Sequence, residues 1–137
     1  MRFALYTILS VMLMLPCYTY AEEESKNEEE SAPAKPSYVL LDPSIVVNLK
    51  SGGKYSRIDV QVMTLDEEQL ENIKLHSPAL RHALILLLSE QKGKELKTPD
   101  GREAFRKAAL TTVQGVIEEL TGTTSIEEVF FTNFFVQ

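Results

Sequence analysis

From residue 38 onward, hydrophobic positions first recur at every second residue, a period typical of β-strands. Of three short runs that are strand candidates, the first, Tyr38–Leu41, is apolar throughout, and the other two, Ile45–Leu49 and Tyr55–Met63, have this pattern. The second and third runs flank the pair Gly52-Gly53, and two alternating runs around a glycine turn predict a β-hairpin. We therefore expect one face of each strand to lie against a hydrophobic core.

A period of three to four residues then replaces the strand pattern, and this period predicts helices. Asp66 and Gln69 have the spacing of a capping box, so a first helix is expected from there to about His76. A second helix is predicted over Ser77–Glu90. Its Ala83–Leu88 segment is apolar without a break. We expect this helix to be covered on several sides, either within the core or with one face against a second copy of the chain.

A third and longer helix is predicted after a polar connector at residues 91–97. Thr98 is a suitable N-cap and Gly122 a suitable C-terminal cap, so this helix should run to about Leu120. The order of strand, hairpin, three helices and strand is typical of the α+β class. We expect residues 38–137 to form a small, mainly antiparallel sheet with three helices on one face.

The final predicted strand, Val129–Val136, is apolar on both faces, although helices can cover only one face of the sheet. Strict alternation places Phe130 and Phe134 on one face. It places Phe131 and Phe135 on the other. An exposed apolar face usually marks a contact with another molecule, so all four phenylalanines are candidate residues for oligomer or partner contacts. The second candidate surface is the charged flank of the third helix, with Arg102, Arg106 and Lys107.

Charge is distributed unevenly along the chain. The formal net charge is −6. Six Glu and two Lys give Glu22–Ser37 a net charge of −4, and this stretch also holds two prolines before Ser37. Such a composition predicts an extended, solvated linker. Residues 38–137 are close to charge balance, which argues against nucleic acid as a partner.

The leader, residues 1–21, has the pattern of an export signal. An apolar stretch, Phe3–Leu15, precedes Thr19-Tyr20-Ala21, which suits cleavage by a signal peptidase. An uncleaved anchor is the alternative, because Phe3–Ala21 is uncharged and close to the length of about 20 residues that spans a bilayer. Lipidation of Cys17 is a third possibility. All three interpretations export the rest of the chain.

Catalytic and metal-binding motifs are missing from the sequence. It contains no nucleophile elbow, phosphate-binding loop or calcium loop. His76 and His82 lack the i, i+4 spacing of a helical metal pair, and Cys17 is the only cysteine. We therefore expect a non-enzymatic module without a cofactor, whose role is contact with other proteins. A small hydrolase or binding protein with a site that motifs do not reveal is the remaining alternative.

Four segments in this order resemble the FliL family of flagellar basal-body proteins, and together they extend over residues 38–137. They are Tyr38–Pro43 with Val46–Leu49, Ala83–Ser89, Glu95–Ala104 and Val129–Gln137. The resemblance implies a periplasmic domain with a stomatin/prohibitin-like fold. It implies no catalytic residue, cofactor or metal.

The same resemblance implies a role at the flagellar motor. It suggests a ring-like homo-oligomer around the stator proteins MotA and MotB that supports torque, motility and swarming. If the leader is not cleaved, the protein would be anchored in the inner membrane. The alternative function is a stomatin-like envelope scaffold unrelated to motility.

Overall fold

The longest strand, β3, organises the fold in the computed structural model, which describes residues 34–137. The four strands are β1 (Ser37–Leu40), β2 (Ile45–Asn48), β3 (Tyr55–Thr64) and β4 (Glu128–Val136). The helices are α1 (Leu70–Leu75), α2 (Ser77–Ser89), α3 (Gly93–Leu96) and α4 (Pro99–Thr121), with a 3₁₀ turn at Glu67–Gln69 before α1. The expected leader and most of the expected acidic linker lie outside the described residues.

All strand pairs are antiparallel and share β3 as their partner. β1 and β2 lie end to end along one edge of β3, and β4 lies along the other edge. The predicted hairpin is confirmed, with Ile45 opposite Ile58 and Asn48 opposite Tyr55. The predicted α+β class is confirmed as well, because the helices pack on one side of this four-stranded sheet.

The core lies between that side of the sheet and the helices. Alternation in β3 buries Ile58, Val60 and Val62 completely or almost completely. These side chains form one cluster with buried residues of α2 and α4. Burying each aliphatic side chain of this size contributes about 1.5–3 kcal/mol, so the cluster is the main stabilising feature of the domain.

Helix α2 is less enclosed than its composition predicts. Only one stripe, Leu80, Leu84 and Leu88, is fully buried. On the opposite side, Leu86 is 53% exposed. Within residues 34–137 the core therefore does not cover this helix on several sides, and the expected alternative, one face against a second copy of the chain, stays a prediction. Ser77 is the first residue of this helix and not its N-cap, which is His76.

Helix ends follow the predicted chemistry in α4 more closely than in α1. Thr98 caps α4 by accepting a hydrogen bond from the Gly101 amide at 3.0 Å, and Gly122 ends the helix with φ of 80°. Asp66 accepts from the Glu68 amide as expected. The predicted capping box does not form, because Gln69 accepts a hydrogen bond from the Asn72 side chain instead.

The connector at residues 91–97 contains a short helix that the sequence pattern did not predict. This helix, α3, packs against α4 and against the turn that joins β2 to β3. The Gly93 amide donates to the Ser51 carbonyl at 2.7 Å. Among residues 34–137, the structure contains no helix that is both long enough and apolar enough to cross a membrane.

Candidate interaction site

A β-bulge in β4 decides which of the candidate phenylalanines face the helices. Asp59 of β3 pairs with Asn133, but the next residue, Val60, pairs with Phe131. Thr132 is therefore an extra residue in β4. Compared with strict alternation, one extra residue moves every side chain that follows it to the opposite face of the sheet. The faces predicted by strict alternation are consequently wrong.

The bulge brings Phe131 and Phe134 to the inner face of the sheet. Both pack against Phe105 of α4, which is only 2% exposed. The ring centroids of Phe105 and Phe131 are 5.3 Å apart in a stacked arrangement, and Phe134 meets both rings nearly edge-on. Such pairs stabilise a core beyond the area they bury, so these two phenylalanines hold β4 against α4.

Phe130 and Phe135 lie on the outer face, which no helix covers within the described residues. They are 39% and 47% exposed. Each ring has a tyrosine neighbour: Tyr38 lies 6.1 Å from Phe130, and Tyr55 lies 5.9 Å from Phe135, between ring centroids. Tyr38 itself is 51% exposed. These four rings form what we call the aromatic face.

The aromatic face also contains two aliphatic side chains that the sequence pattern did not single out. Leu40 of β1 and Val46 of β2 are about half exposed. Both lie opposite outward-facing residues of β3, Leu40 beside Gln61 and Val46 beside Arg57. Alternation along β1 and β2 could have identified them, once the burial of the opposite face was known.

A second surface, the α4–β4 groove, lies where the start of α4 passes over the inner face of β4. This open groove has a volume of about 400 Å³. Its lining residues are Lys97, Pro99, Arg102, Glu103, Arg106, Phe131 and Phe134. The guanidinium carbon of Arg102 lies 5.2 Å from the centre of the Phe134 ring, within the range of a cation–π contact. The groove thus combines cationic walls with an aromatic floor.

Arg106 joins α4 to the beginning of β4 through two carboxylates. Its guanidinium donates to Glu103 at 2.7 and 2.8 Å and also donates to Glu128. Hydrogen bonding from Arg106 holds the pKa of Glu103 below its usual range. Hydrogen bonding to Glu103 and the charge of Glu128 raise the pKa of Arg106. This group is an electrostatic link between helix and strand.

We expect the link to make stability depend on pH in the acidic range. Folding lowers the pKa of Glu103. Its ionised carboxylate therefore contributes fully to the free energy of unfolding above the unfolded-state pKa of about 4.3, and this contribution is lost as the pH falls from there through the lower pKa of the folded state. Glu103→Gln should therefore flatten the pH dependence of the free energy of unfolding between about pH 5 and 3. Urea unfolding at several pH values measures this.

Glu118→Gln is the matched control, since Glu118 lies on the same helix and forms no ion pair within residues 34–137. If both variants flatten the pH dependence of the free energy of unfolding equally, the ion pairs of Arg106 make no specific contribution to stability.

The titratable side chains of the described residues form no cluster that could hold a metal ion. No group of three or more His, Cys, Asp or Glu side chains lies close enough together to bind a metal between residues 34 and 137. His82 is exposed, and His76 is half-buried at the junction of α1 and α2.

Comparison with known proteins identifies relatives of this domain. A family model described as "Flagellar basal body-associated protein FliL" matches residues 38–137. The chain is 28% identical over 99 residues to the flagellar protein FliL of Aquifex aeolicus (strain VF5). This match covers 71% of the chain and 59% of the relative, so the chain spans about three-fifths of that protein's length.

Proposed function

Because this chain belongs to the FliL family of flagellar basal body-associated proteins, we propose that it is a non-enzymatic structural partner of the flagellar motor. It assembles with other copies around the stator proteins MotA and MotB in the periplasm and supports torque, motility and swarming. The family assignment supplies the flagellar role. The aromatic face is the observation that supports assembly.

The exposure of the aromatic face supports assembly. Phe130 and Phe135 leave aromatic surface in water on a sheet face that has no helix over it within residues 34–137. Tyr38 and Tyr55 extend this surface across β3. Aromatic side chains are enriched in the centres of protein interfaces, where they bury large areas at a small cost in side-chain entropy.

The four candidate phenylalanines have two different roles in this proposal. Phe130 and Phe135 contact the neighbouring copy or the stator. Phe131 and Phe134 stabilise β4 from the inner face and form the floor of the α4–β4 groove. The free edge of β4 lies between these two surfaces, because β4 pairs only with β3 among the described strands.

Deletion of the gene tests the proposed function. We expect reduced swimming speed and reduced swarming, above all in viscous medium, with filaments assembled in normal number. Complementation with the unchanged gene should restore both. Unchanged motility under load, together with co-purification of an envelope complex that lacks stator proteins, would instead favour a scaffold unrelated to motility.

A further inference from the structure

The outer side of β3 carries one positive and one negative side chain in the middle of the aromatic face. Arg57 and Asp59 alternate with buried residues of the strand, so both point away from the core. Neither forms an ion pair within residues 34–137. The Arg57 guanidinium donates a hydrogen bond to the Ser44 hydroxyl at 3.0 Å, and its other N–H groups can still bind a carboxylate. Both charges are therefore available to a partner.

Apolar side chains lie toward both ends of the aromatic face, with the charged centre between them. The strand register places Leu40 and Phe130 on either side of Gln61, toward one end of β3. It places Val46 and Phe135 on either side of the positive side chain, toward the other end. All four apolar residues are between 39% and 57% exposed. The face thus has two similar apolar ends, and its two opposite charges lie side by side near the middle.

This pattern is complementary to itself when the β3 strands of two copies run antiparallel across each other. A two-fold axis between positions 57 and 59 places Arg57 of each copy against Asp59 of the other. The same axis brings the apolar end beside Gln61 over the apolar end beside Arg57 of the other copy. Parallel strands in register would instead put like charges opposite each other, which is strongly unfavourable. The charges therefore favour one arrangement of two copies.

We propose that two copies of this chain pack aromatic face to aromatic face about a two-fold axis, with reciprocal contacts between Arg57 and Asp59. The apolar ends supply the affinity, and the ion pairs fix the register, because exposed ion pairs add little affinity by themselves. A two-fold contact is closed, so each copy uses this face once and a larger assembly needs a second surface. The inference rests on the proposed self-assembly of the chain and not on the flagellar role.

The size of the face determines how strong this contact should be. β3 has ten residues, and the sheet is three strands wide along it. Such a face is about 33 Å long and about 14 Å wide. Two of them bury about 900–1,000 Å² together, which is close to the lower limit for a specific interface. We therefore expect a weak dimer with a dissociation constant of about 1–100 μM.

Charge reversal tests the reciprocal contact, with analytical ultracentrifugation of the full chain as the measurement. Arg57→Glu puts two carboxylates opposite each other at both contacts, and Asp59→Arg does the same with two guanidinium groups. Each change should weaken dimerisation at least about tenfold. Lys74→Glu and Glu71→Lys are matched controls, because they make the same changes of charge on α1, which packs on the other side of the sheet. They should alter dimerisation by less than about threefold.

A mixture of the two single variants distinguishes the two-fold contact from other modes of association. In a mixed dimer, the carboxylate introduced at position 57 of one copy faces the guanidinium introduced at position 59 of the other. The second contact keeps Arg57 against Asp59. The mixture should therefore dimerise about as strongly as the unchanged chain, although neither variant does so alone. A chain that carries both reversals should recover dimerisation to within about threefold as well.

Three results would overturn the proposal: a chain that stays monomeric up to about 1 mM, reversals that weaken dimerisation no more than the α1 controls, or a mixture that does not recover it. Circular dichroism shows whether each variant is folded. If a reversal unfolds the domain, Arg57→Gln and Asp59→Asn replace it and should each weaken dimerisation about threefold. No weakening by either would overturn the proposal as well. The flagellar role is tested separately by the deletion strain.

Discussion

Gly101→Ala should destabilise the domain by about 2–4 kcal/mol, although the same change in most helices is favourable. Gly101 lies in the first turn of α4, which the end of α3 approaches closely. An alanine Cβ there would overlap the Glu95 carbonyl oxygen and lie 2.6 Å from its carbonyl carbon and 2.9 Å from Thr98 Oγ1. Two of these three atoms belong to the backbone, so α3 and α4 would have to separate.

Thermal unfolding of the full chain, followed by circular dichroism, measures the effect. A loss of this size corresponds to a fall in melting temperature of roughly 10–20 °C for a domain of about 100 residues. The expected loss in free energy of unfolding is larger than the stabilisation of about 1 kcal/mol that alanine provides over glycine in a helix interior.

Gly115→Ala is the matched control for this prediction. Gly115 lies in the middle of the same helix, and a Cβ at that position would meet nothing within 4 Å. Alanine should therefore stabilise the domain by up to about 1 kcal/mol. If both glycine variants raise the melting temperature, the close approach of α3 to α4 is not a constraint on the folded domain.

Much of this fold could be predicted from the sequence because local signals and burial agree. The alternation of Ile58, Val60 and Val62 identified a half-buried strand, and Thr98 and Gly122 fixed the ends of α4. In these places the residue that suits the local backbone also suits the core. The prediction needed no knowledge of distant parts of the chain.

The facing of β4 could not be predicted, because it depends on a single extra residue. Thr132 is neither a glycine nor a proline, so the sequence does not mark a bulge at this position. Pairing with β3 sets its place in the bulge. Contacts on both sides of the bulge fix the register: Phe131 and Phe134 meet Phe105 only if Thr132 is unpaired. The requirement for glycine at position 101 is likewise set by packing, because the Glu95 carbonyl of the preceding helix α3 approaches it closely.

Helix α2 shows the limit of reasoning from composition. Its apolar run predicted burial on several sides, but the helix lies on the outside of the layer and Leu86 faces water. Only the stripe that meets α4 and the sheet needs to be apolar. Outside that stripe, Ile85 and Leu87 pack partly against the core, while Leu86 faces water within the described residues and serves the helix as a good helix former.

Alternation along β4 also leads to the sharpest prediction for assembly, because it places the adjacent residues Phe130 and Phe131 on opposite faces of the sheet. Phe131→Asp should destabilise the domain by about 3 kcal/mol or more, since it removes two aromatic contacts and puts a carboxylate beside Phe105. Phe130→Asp should cost only about 1 kcal/mol, the value of its contact with Tyr38. The variant at 130 should remain folded.

Phe130→Asp should weaken the association between copies by more than it lowers the free energy of unfolding. A phenylalanine buried at an interface contributes about 1.5–3 kcal/mol, so its loss should weaken each contact between copies by about 10- to 150-fold. Phe135→Asp should act in the same way, because Phe135 lies on the same face beside Tyr55. Analytical ultracentrifugation measures association, and circular dichroism of the same samples confirms folding.

Gln61→Glu separates the effect of charge from the effect of lost aromatic area. Gln61 lies on the same face, paired with Phe130 across the strands, so this change adds one negative charge and removes no apolar surface. We expect it to weaken association less than Phe130→Asp does. If Phe130→Asp and Phe135→Asp both leave association unchanged, the aromatic face is not the assembly surface. The charged flank of α4, with Arg102, Arg106 and Lys107, then becomes the surface on which contact between copies must be sought.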